Sequence, residues 1–153
     1  MDIGIDSEAR ALVIAGLERV LADTYTLYLK THSFHWNVTG PRFNDLHMMF
    51  MTQYTEMWTA VDLIAERIRA LGAFAPGSYE AFARLTSIPD ADGVPAAADM
   101  VQQLCDGHEA VIRTTRAALE PAEAANDQAT LDLLTQRLLL HEKTAWMLRS
   151  LMA

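Results

Sequence analysis

The sequence predicts an all-α fold: a four-helix bundle with a long crossover between helices two and three that carries a short extra helix. Half of the 153 residues are hydrophobic (51%), while glycines and prolines number only 7 and 5. These breakers cluster between segments of helical periodicity. The connection at 73–95 is long enough for the third helix to run parallel to the second. We expect residues 1–153 to form one domain.

The first helix is predicted to begin after an N-cap at Asp6 or Ser7 and to reach about His35. A turn at 37–41, which contains glycine and proline, then reverses the chain. Because this connection is short, the first two helices should pack antiparallel. The sequence therefore predicts that His35 and His47 are neighbours.

The second helix is predicted to begin after a cap at Asn44 or Asp45 and to end at Gly72. One face repeats apolar residues every three or four positions, which is typical of a core-facing helix: Phe50, Tyr54, Met57, Val61, Ile64, Ile68 and Leu71. A second apolar zone is interleaved with threonines and comprises Met48, Met51, Trp58 and Leu63. Burial on two sides favours a subunit interface, the alternative being an internal helix of one bundle.

The remaining helices follow from their breakers and caps. Within the crossover, the segment SYEAFARL is a candidate short helix. The third long helix is predicted to begin near Pro95 and to be ended by Pro121. The last helix is predicted from Asn126 or Asp127 to Leu151.

Charge and cysteine content narrow the function classes. The net charge is −8, and neither end carries a lysine-rich tail, so the sequence predicts no direct DNA binding. Cys105 is the only cysteine, which is compatible with a reducing cytosol. The apolar run at 11–17 lacks a basic flank and is too short to span a membrane. We expect a soluble cytoplasmic protein.

The second helix carries side chains that bind transition metals. His47 and Asp62 lie within about 60° of each other around the helix axis, and Glu66 follows one turn later. Along the axis, however, His47 and Asp62 are about 22 Å apart, so one ion cannot bind both within one chain. Two copies of the helix that cross antiparallel on a two-fold axis would bring them together. The spacing predicts either a metal site shared between subunits or two unrelated half-sites.

Three segments, THSFHWNVTGPRFNDLH, YTEMWTAVDLIAERIRALG and HEKTAWMLR, resemble the Dps-like mini-ferritins of the ferritin-like superfamily. The resemblance extends over essentially the whole chain. It implies a ferritin-like four-helix bundle that assembles into a dodecameric cage with ferroxidase sites at its two-fold interfaces. Iron(II) would be oxidised there, commonly by hydrogen peroxide, and stored as iron(III) mineral in protection against oxidative stress.

By this resemblance the site takes His35, His47 and position 51 from one subunit, with Asp62 and Glu66 from its partner. Position 51 is Met51, where the family usually has Asp or Glu. A thioether is a soft, neutral ligand and matches iron poorly. We therefore expect weaker iron binding and slower oxidation, the alternative being a metal-binding cage with little or no turnover. Zinc or copper could also occupy two histidines with carboxylates.

Two further acids gain a role from the resemblance. Asp127 and Asp132 match acids that line three-fold pores through which iron enters the cage. An acidic ring concentrates cations. The competing interpretation, stronger for Asp127, is a helix N-terminal acid favoured by the macrodipole.

Other side chains receive structural interpretations. His32 lies one turn before His35 and is either a spare ligand or held by a backbone carbonyl. His108 is predicted to be a satisfied core histidine, and His141 to line a core or an interface without chemistry. Trp58 is assigned to packing, and Cys105 to a small buried hydrophobe.

Overall fold

The computed structural model describes residues 1–153 as five helices with no strand. They are α1 (Ser7–Asn37), α2 (Phe43–Ala70), α3 (Tyr79–Leu85), α4 (Ala97–Ala124) and α5 (Gln128–Ser150). Helix α1 packs against α2 and α4, and α4 packs against α5, while α3 lies in the crossover and contacts α1. The all-α bundle with a long crossover and a short extra helix is confirmed.

Helix ends follow the predicted caps with one exception. The Asp6 carboxylate accepts hydrogen bonds from the Glu8 and Ala9 amides and so caps α1. Helix α2 does not begin at a cap from Asn44 or Asp45, and that prediction is wrong. It starts at Phe43, whose amide donates to the carbonyl of Gly40, and no side chain caps it.

The prediction that Pro121 ends the third long helix is also wrong, because α4 continues to Ala124. Proline removes one amide donor, yet the Pro121 carbonyl still accepts from Ala125. Asn126, which follows the C-cap residue Ala125, has a left-handed φ of 51° and turns the chain away from the helix. The Asn126 and Asp127 amides donate to the carbonyls of Glu123 and Ala122, as in a Schellman motif. The start is likewise later than Pro95, at Ala97.

The bundle core consists of two apolar clusters. One cluster includes Phe50, Met57, Leu104 and Val111, and the other includes Leu17, Ile64, Ala118 and Leu134. Buried polar side chains accompany them on α2, α4 and α5, and we call the following set the polar belt: Gln53, His108, Thr115, Arg137 and His141. Burying polar groups is unfavourable unless they are hydrogen-bonded, so these residues must find partners.

A fully buried carboxylate fixes the crossover to the bundle. Asp23 on α1 accepts hydrogen bonds from the Thr86 hydroxyl (2.8 Å) and from the amide and hydroxyl of Ser87 (2.6 and 2.8 Å). The Thr114 hydroxyl of α4 donates to the same carboxylate at 2.6 Å. Four donors compensate the loss of water around the charge. Asp23 therefore joins α1, α4 and the crossover at one point.

None of the helices is both long enough and apolar enough to cross a membrane.

Candidate metal centre

His35 and His47 form a stacked pair where α1 ends and α2 begins. Their ring centroids are 3.8 Å apart. The Nδ1 of His35 lies 2.7 Å from the carbonyl oxygen of His47, and the Nδ1 of His47 lies 2.8 Å from the carbonyl oxygen of His35. A carbonyl only accepts, so both Nδ1 atoms donate. In each neutral ring Nε2 then carries a free lone pair, which is how metal-binding histidines are usually oriented.

The predicted carboxylates do not join this pair within one chain. Asp62 and Glu66 are exposed on α2, and Asp62 is about 22 Å from His47 along the helix axis. No three histidine, cysteine, aspartate or glutamate side chains converge in a way that could hold a metal ion. Met51, one turn after His47, is half-buried. The structure thus brings together two of the five positions.

The second apolar zone of α2 is largely uncovered. Trp58 is 59% exposed, and Met48 and Leu63 are similarly open to solvent. Trp36 and Phe43, which flank the histidine pair in sequence, are exposed as well. A group of large apolar side chains on one part of a surface indicates an interaction site.

His32 is held by aromatic neighbours. Its ring stacks on Tyr54 with centroids 4.0 Å apart and lies 4.1 Å from the ring of Trp36. Its Nδ1 is 3.3 Å from the Tyr28 hydroxyl, so a side chain holds it in place of a backbone carbonyl. Burial lowers the pKa of His32, and the neighbouring His35 lowers it further. His32 is therefore neutral at pH 7 and packs within the aromatic cluster beside the His35–His47 pair.

The two predicted pore acids have different surroundings. Asp127 is 3% exposed, accepts from the Thr130 amide as the cap of α5, and pairs with Arg67 at 2.6 Å. Burial alone would raise the pKa of Asp127, but hydrogen bonds from Arg67 and Thr130 outweigh it and lower the pKa. Asp132 is exposed and accepts a hydrogen bond from Gln136 at 2.8 Å. Only Asp132 presents its carboxylate to solvent.

A second histidine pair lies inside the bundle. The Nδ1 atoms of His108 and His141 are 2.8 Å apart, and Arg137 donates to the Nε2 of His141 at 3.0 Å. Arg137 also forms an ion pair with Glu56 of α2. Burial lowers the pKa of His108 to about 3, with a further contribution from Arg137, and lowers that of His141 well below its usual value. His108 is a core histidine as predicted, but its Nε2 has no partner.

Comparisons with known proteins agree with this architecture. A ferritin-like domain matches residues 14–153. The chain is 37% identical to DNA protection during starvation protein 2 of Bacillus anthracis, with 90% of this chain and 94% of the relative covered. It is 32% identical to the nutrient stress-induced DNA-binding protein of Nostoc sp., with 97% and 82% covered.

The crystal structure of a Dps protein from Vibrio cholerae O1, described as a member of the ferritin-like diiron-carboxylate proteins, superposes with a TM-score of 0.94. It is 28% identical and covers 99% of this chain and 95% of its own. The chain belongs to the ferritin-like family. Within that family it is a Dps-like mini-ferritin. Membership supports iron binding and a role in iron storage and protection.

Proposed function

We propose that this protein is a ferroxidase that oxidises iron(II), with hydrogen peroxide as the oxidant, and stores the iron(III) product inside a homo-oligomeric cage. The observation that carries this proposal is the reciprocal anchoring of His35 and His47. Each Nδ1 is held by the other residue's backbone, so both Nε2 lone pairs are available to bind iron(II) without rearrangement.

In the proposed assembly, two α2 helices cross antiparallel on a two-fold axis. The exposed apolar side chains Met48, Trp58 and Leu63 would be covered there. Asp62 and Glu66 of one subunit would then meet the histidine pair of the other, which gives two equivalent sites per interface. We propose that six such dimers form a dodecamer, as the family resemblance implies, in the cytoplasm.

The side chains have distinct roles in the proposed reaction. His35 and His47 bind iron(II), because imidazole suits this borderline ion. Asp62 and Glu66 favour oxidation, because carboxylates are hard ligands and stabilise iron(III) more than iron(II). Each peroxide molecule accepts two electrons, one from each of two iron(II) ions, and with two protons is reduced to two water molecules. Iron(II) and peroxide, which together damage cells, are consumed in one step.

Met51 sets the expected rate and the second candidate function. Its neutral thioether removes one negative charge from a site that must stabilise an increasingly positive ion. We therefore propose a slower ferroxidase, with a metal-binding cage of little or no turnover as the alternative. Zinc or copper would compete for the same side chains, and addition of either ion should then inhibit iron oxidation.

The test is to mix the metal-free protein with iron(II) under anaerobic conditions, add peroxide and follow the ferric absorbance. Met51→Asp should raise the oxidation rate about tenfold, which corresponds to about 1.4 kcal/mol. Met152→Asp, which adds the same charge at an exposed position after α5, is the matched control and should leave the rate unchanged. Oxidation by the natural chain supports the ferroxidase, whereas oxidation by Met51→Asp alone supports the metal-binding cage.

Iron uptake is proposed to use acidic pores. Asp132 is exposed and can attract cations, while Asp127 caps α5 and is paired with Arg67, so the uptake proposal depends chiefly on Asp132. Asp132→Asn should slow mineral growth at low iron(II) without changing oxidation at the interface site. Asp99→Asn, which removes an exposed acid from the first turn of α4, is the control.

DNA compaction is a third candidate function, since the Nostoc relative carries DNA binding in its name. The net charge of −8 argues against it for this chain. We expect no gel shift of plasmid DNA at neutral pH. A strong shift that disappears with added salt would contradict this expectation.

A further inference from the structure

Five buried side-chain atoms have no hydrogen-bond partner, and all belong to the polar belt. They are both amide atoms of Gln53, Nε2 of His108, Oγ1 of Thr115 and Nε of Arg137. Each unsatisfied buried group costs about 1–3 kcal/mol, so a fold rarely retains several of them without a partner. Their concentration at one region of one bundle requires an explanation other than chance.

The contacts among Gln53's helix, Arg137, His141 and His108 place these four residues near one level of the bundle, and Thr115 lies seven residues after His108, about 10.5 Å farther along α4. Arg137 of α5 touches Glu56 of α2 and His141, and His141 touches His108 of α4. Gln53 precedes Glu56 by three residues, which is about 4.5 Å along the helix axis. It lies between Phe50 and Met57, which belong to the same apolar cluster as the residues that flank His108.

The hydrogen-bond directions determine where the His108 proton lies. Arginine only donates, so the Nε2 of His141 accepts from Arg137 and the hydrogen of His141 is on Nδ1. That hydrogen is donated to the Nδ1 of His108, 2.8 Å away. The hydrogen of neutral His108 is therefore on Nε2. This N–H group is buried in the bundle and has no protein acceptor.

We propose that the polar belt is an internal binding site for water, separate from the metal centre and contained within one subunit. A buried water molecule makes about three hydrogen bonds, so the four atoms of Gln53, His108 and Arg137 require about two water molecules, and the Thr115 hydroxyl, two turns farther along α4, requires another. The site offers both kinds of partner that water needs. The His108 Nε2–H and the Gln53 amide nitrogen donate, the Gln53 carbonyl oxygen accepts, and the Thr115 hydroxyl can do either.

The direct test is to count long-lived internal waters by oxygen-17 magnetic relaxation dispersion on the assembled protein. Gln53→Met keeps the side-chain length but removes two polar atoms, and at least one long-lived water should be lost. Gln136→Met, at an exposed glutamine, is the matched control and should leave the count unchanged. An equal count in the natural protein and Gln53→Met would overturn the proposal.

A crystal structure supplies the second test. We expect ordered water within about 3 Å of the His108 Nε2 and of the Gln53 amide. A direct hydrogen bond between protein atoms at His108 Nε2, without water, would overturn the proposal.

Thr115→Val separates a hydrated belt from a dry one by the sign of a stability change. In a dry interior, removal of an unsatisfied hydroxyl should raise the thermal midpoint. In a hydrated belt the hydroxyl binds water, and its removal should lower the midpoint. Thr24→Val is the reference for the loss of an existing hydrogen bond, because the buried Thr24 hydroxyl donates to the Val20 carbonyl at 2.7 Å. It shows how far the thermal midpoint falls when such a bond is removed. A higher midpoint for Thr115→Val would contradict the proposal.

Discussion

The two histidine pairs of this protein use the same residues in opposite ways. His35 and His47 donate from Nδ1 to backbone carbonyls and leave both Nε2 atoms free. His108 and His141 bond to each other through Nδ1, and Arg137 occupies the Nε2 of His141. The first pair lies beside an exposed apolar face, while the second is buried in the bundle.

The difference indicates that the partner of Nδ1 decides whether a pair of histidines is available to bind a metal ion. A carbonyl partner fixes the tautomer and points Nε2 outward as a ligand. In the buried pair the single lone pair of each ring is already occupied: the Nδ1 of His108 accepts from His141, and the Nε2 of His141 accepts from Arg137. Four experiments test this contrast between the His35–His47 pair and the His108–His141 pair.

The largest effect is expected from Arg137→Met. This change leaves the Nε2 of His141 and the carboxylate of Glu56 without their shared partner. Because Glu56 is partly exposed, we expect a loss of about 3 kcal/mol in the free energy of unfolding, at the low end for a broken buried pair. Chemical denaturation at a fixed protein concentration measures it.

Arg116→Met is the control for that experiment, since it removes an exposed ion pair, in this case between Arg116 of α4 and Glu142 of α5. It should cost less than about 1 kcal/mol. An equal loss of unfolding free energy in the two variants would show that the buried contacts of Arg137 stabilise the fold no more than an exposed ion pair does.

Next, His47→Ala should weaken iron(II) binding at least about tenfold, because one of two anchored ligands is lost. His141→Ala should leave iron(II) affinity within about twofold, although it destabilises the bundle. Isothermal titration of the metal-free proteins with iron(II), under anaerobic conditions, compares them. Weakened binding in His141→Ala, in a variant that still assembles, would remove the distinction between the two pairs.

A smaller effect is expected from acid. The pKa values of His108 and His141 are lowered by burial, so below about pH 6.5 the unfolded chain takes up protons that the folded chain does not. The free energy of unfolding should therefore fall as the pH decreases from 6.5 towards 3. Each histidine should contribute about 1 kcal/mol at one pH unit below 6.5.

The control for the acid experiment is the double variant His108→Gln and His141→Gln, whose stability should depend less on pH in this range. Asp127 cannot mimic the effect between pH 6.5 and about pH 4, because its pKa is lowered and its contribution is lost only below about pH 4. If the free energy of unfolding of the double variant fell as steeply with decreasing pH as that of the natural protein, His108 and His141 would not be the source of the effect.

The smallest effect is expected from His32→Phe. His32 stacks on Tyr54, lies against the tilted ring of Trp36 and bonds to Tyr28, so we infer that it packs and does not bind metal. Phenylalanine should preserve the stacking and leave the iron oxidation rate within about twofold. A loss of iron(II) affinity comparable to that of His47→Ala would instead indicate that His32 is a third ligand.

Much of the architecture could be predicted from local signals. Asp6, Ser78 and Asp127 cap helices where their side chains suggest, and Gly72 follows the end of α2 with a positive φ. Pro121 misled the prediction, because an α-helix tolerates the loss of one amide hydrogen bond in its last turn. The sequence offers two possible ends for α4, Pro121 and Asn126, and the helix continues past the first to Ala124.

Only part of the candidate metal centre could be predicted from the sequence. A short turn was enough to predict that His35 and His47 meet. Their reciprocal bonds to backbone carbonyls could not be predicted, because they depend on the rotation of two helices about their axes. The His108–His141 pair was missed for a similar reason: it depends on the register of α4 against α5. Asp62 and Glu66 remain a prediction that requires a second copy of the chain.

The anchors of the histidine pair have a consequence for how such a site can change over evolutionary time. Both acceptors are main-chain oxygens, which no substitution of a neighbouring side chain can delete. Replacements at position 51 can therefore alter charge and metal preference while the two imidazoles keep their orientation. In such a site the backbone carbonyls fix the orientation of the imidazoles, while the side chain at position 51 can vary. During evolution, substitutions at position 51 can therefore occur without loss of the two histidines.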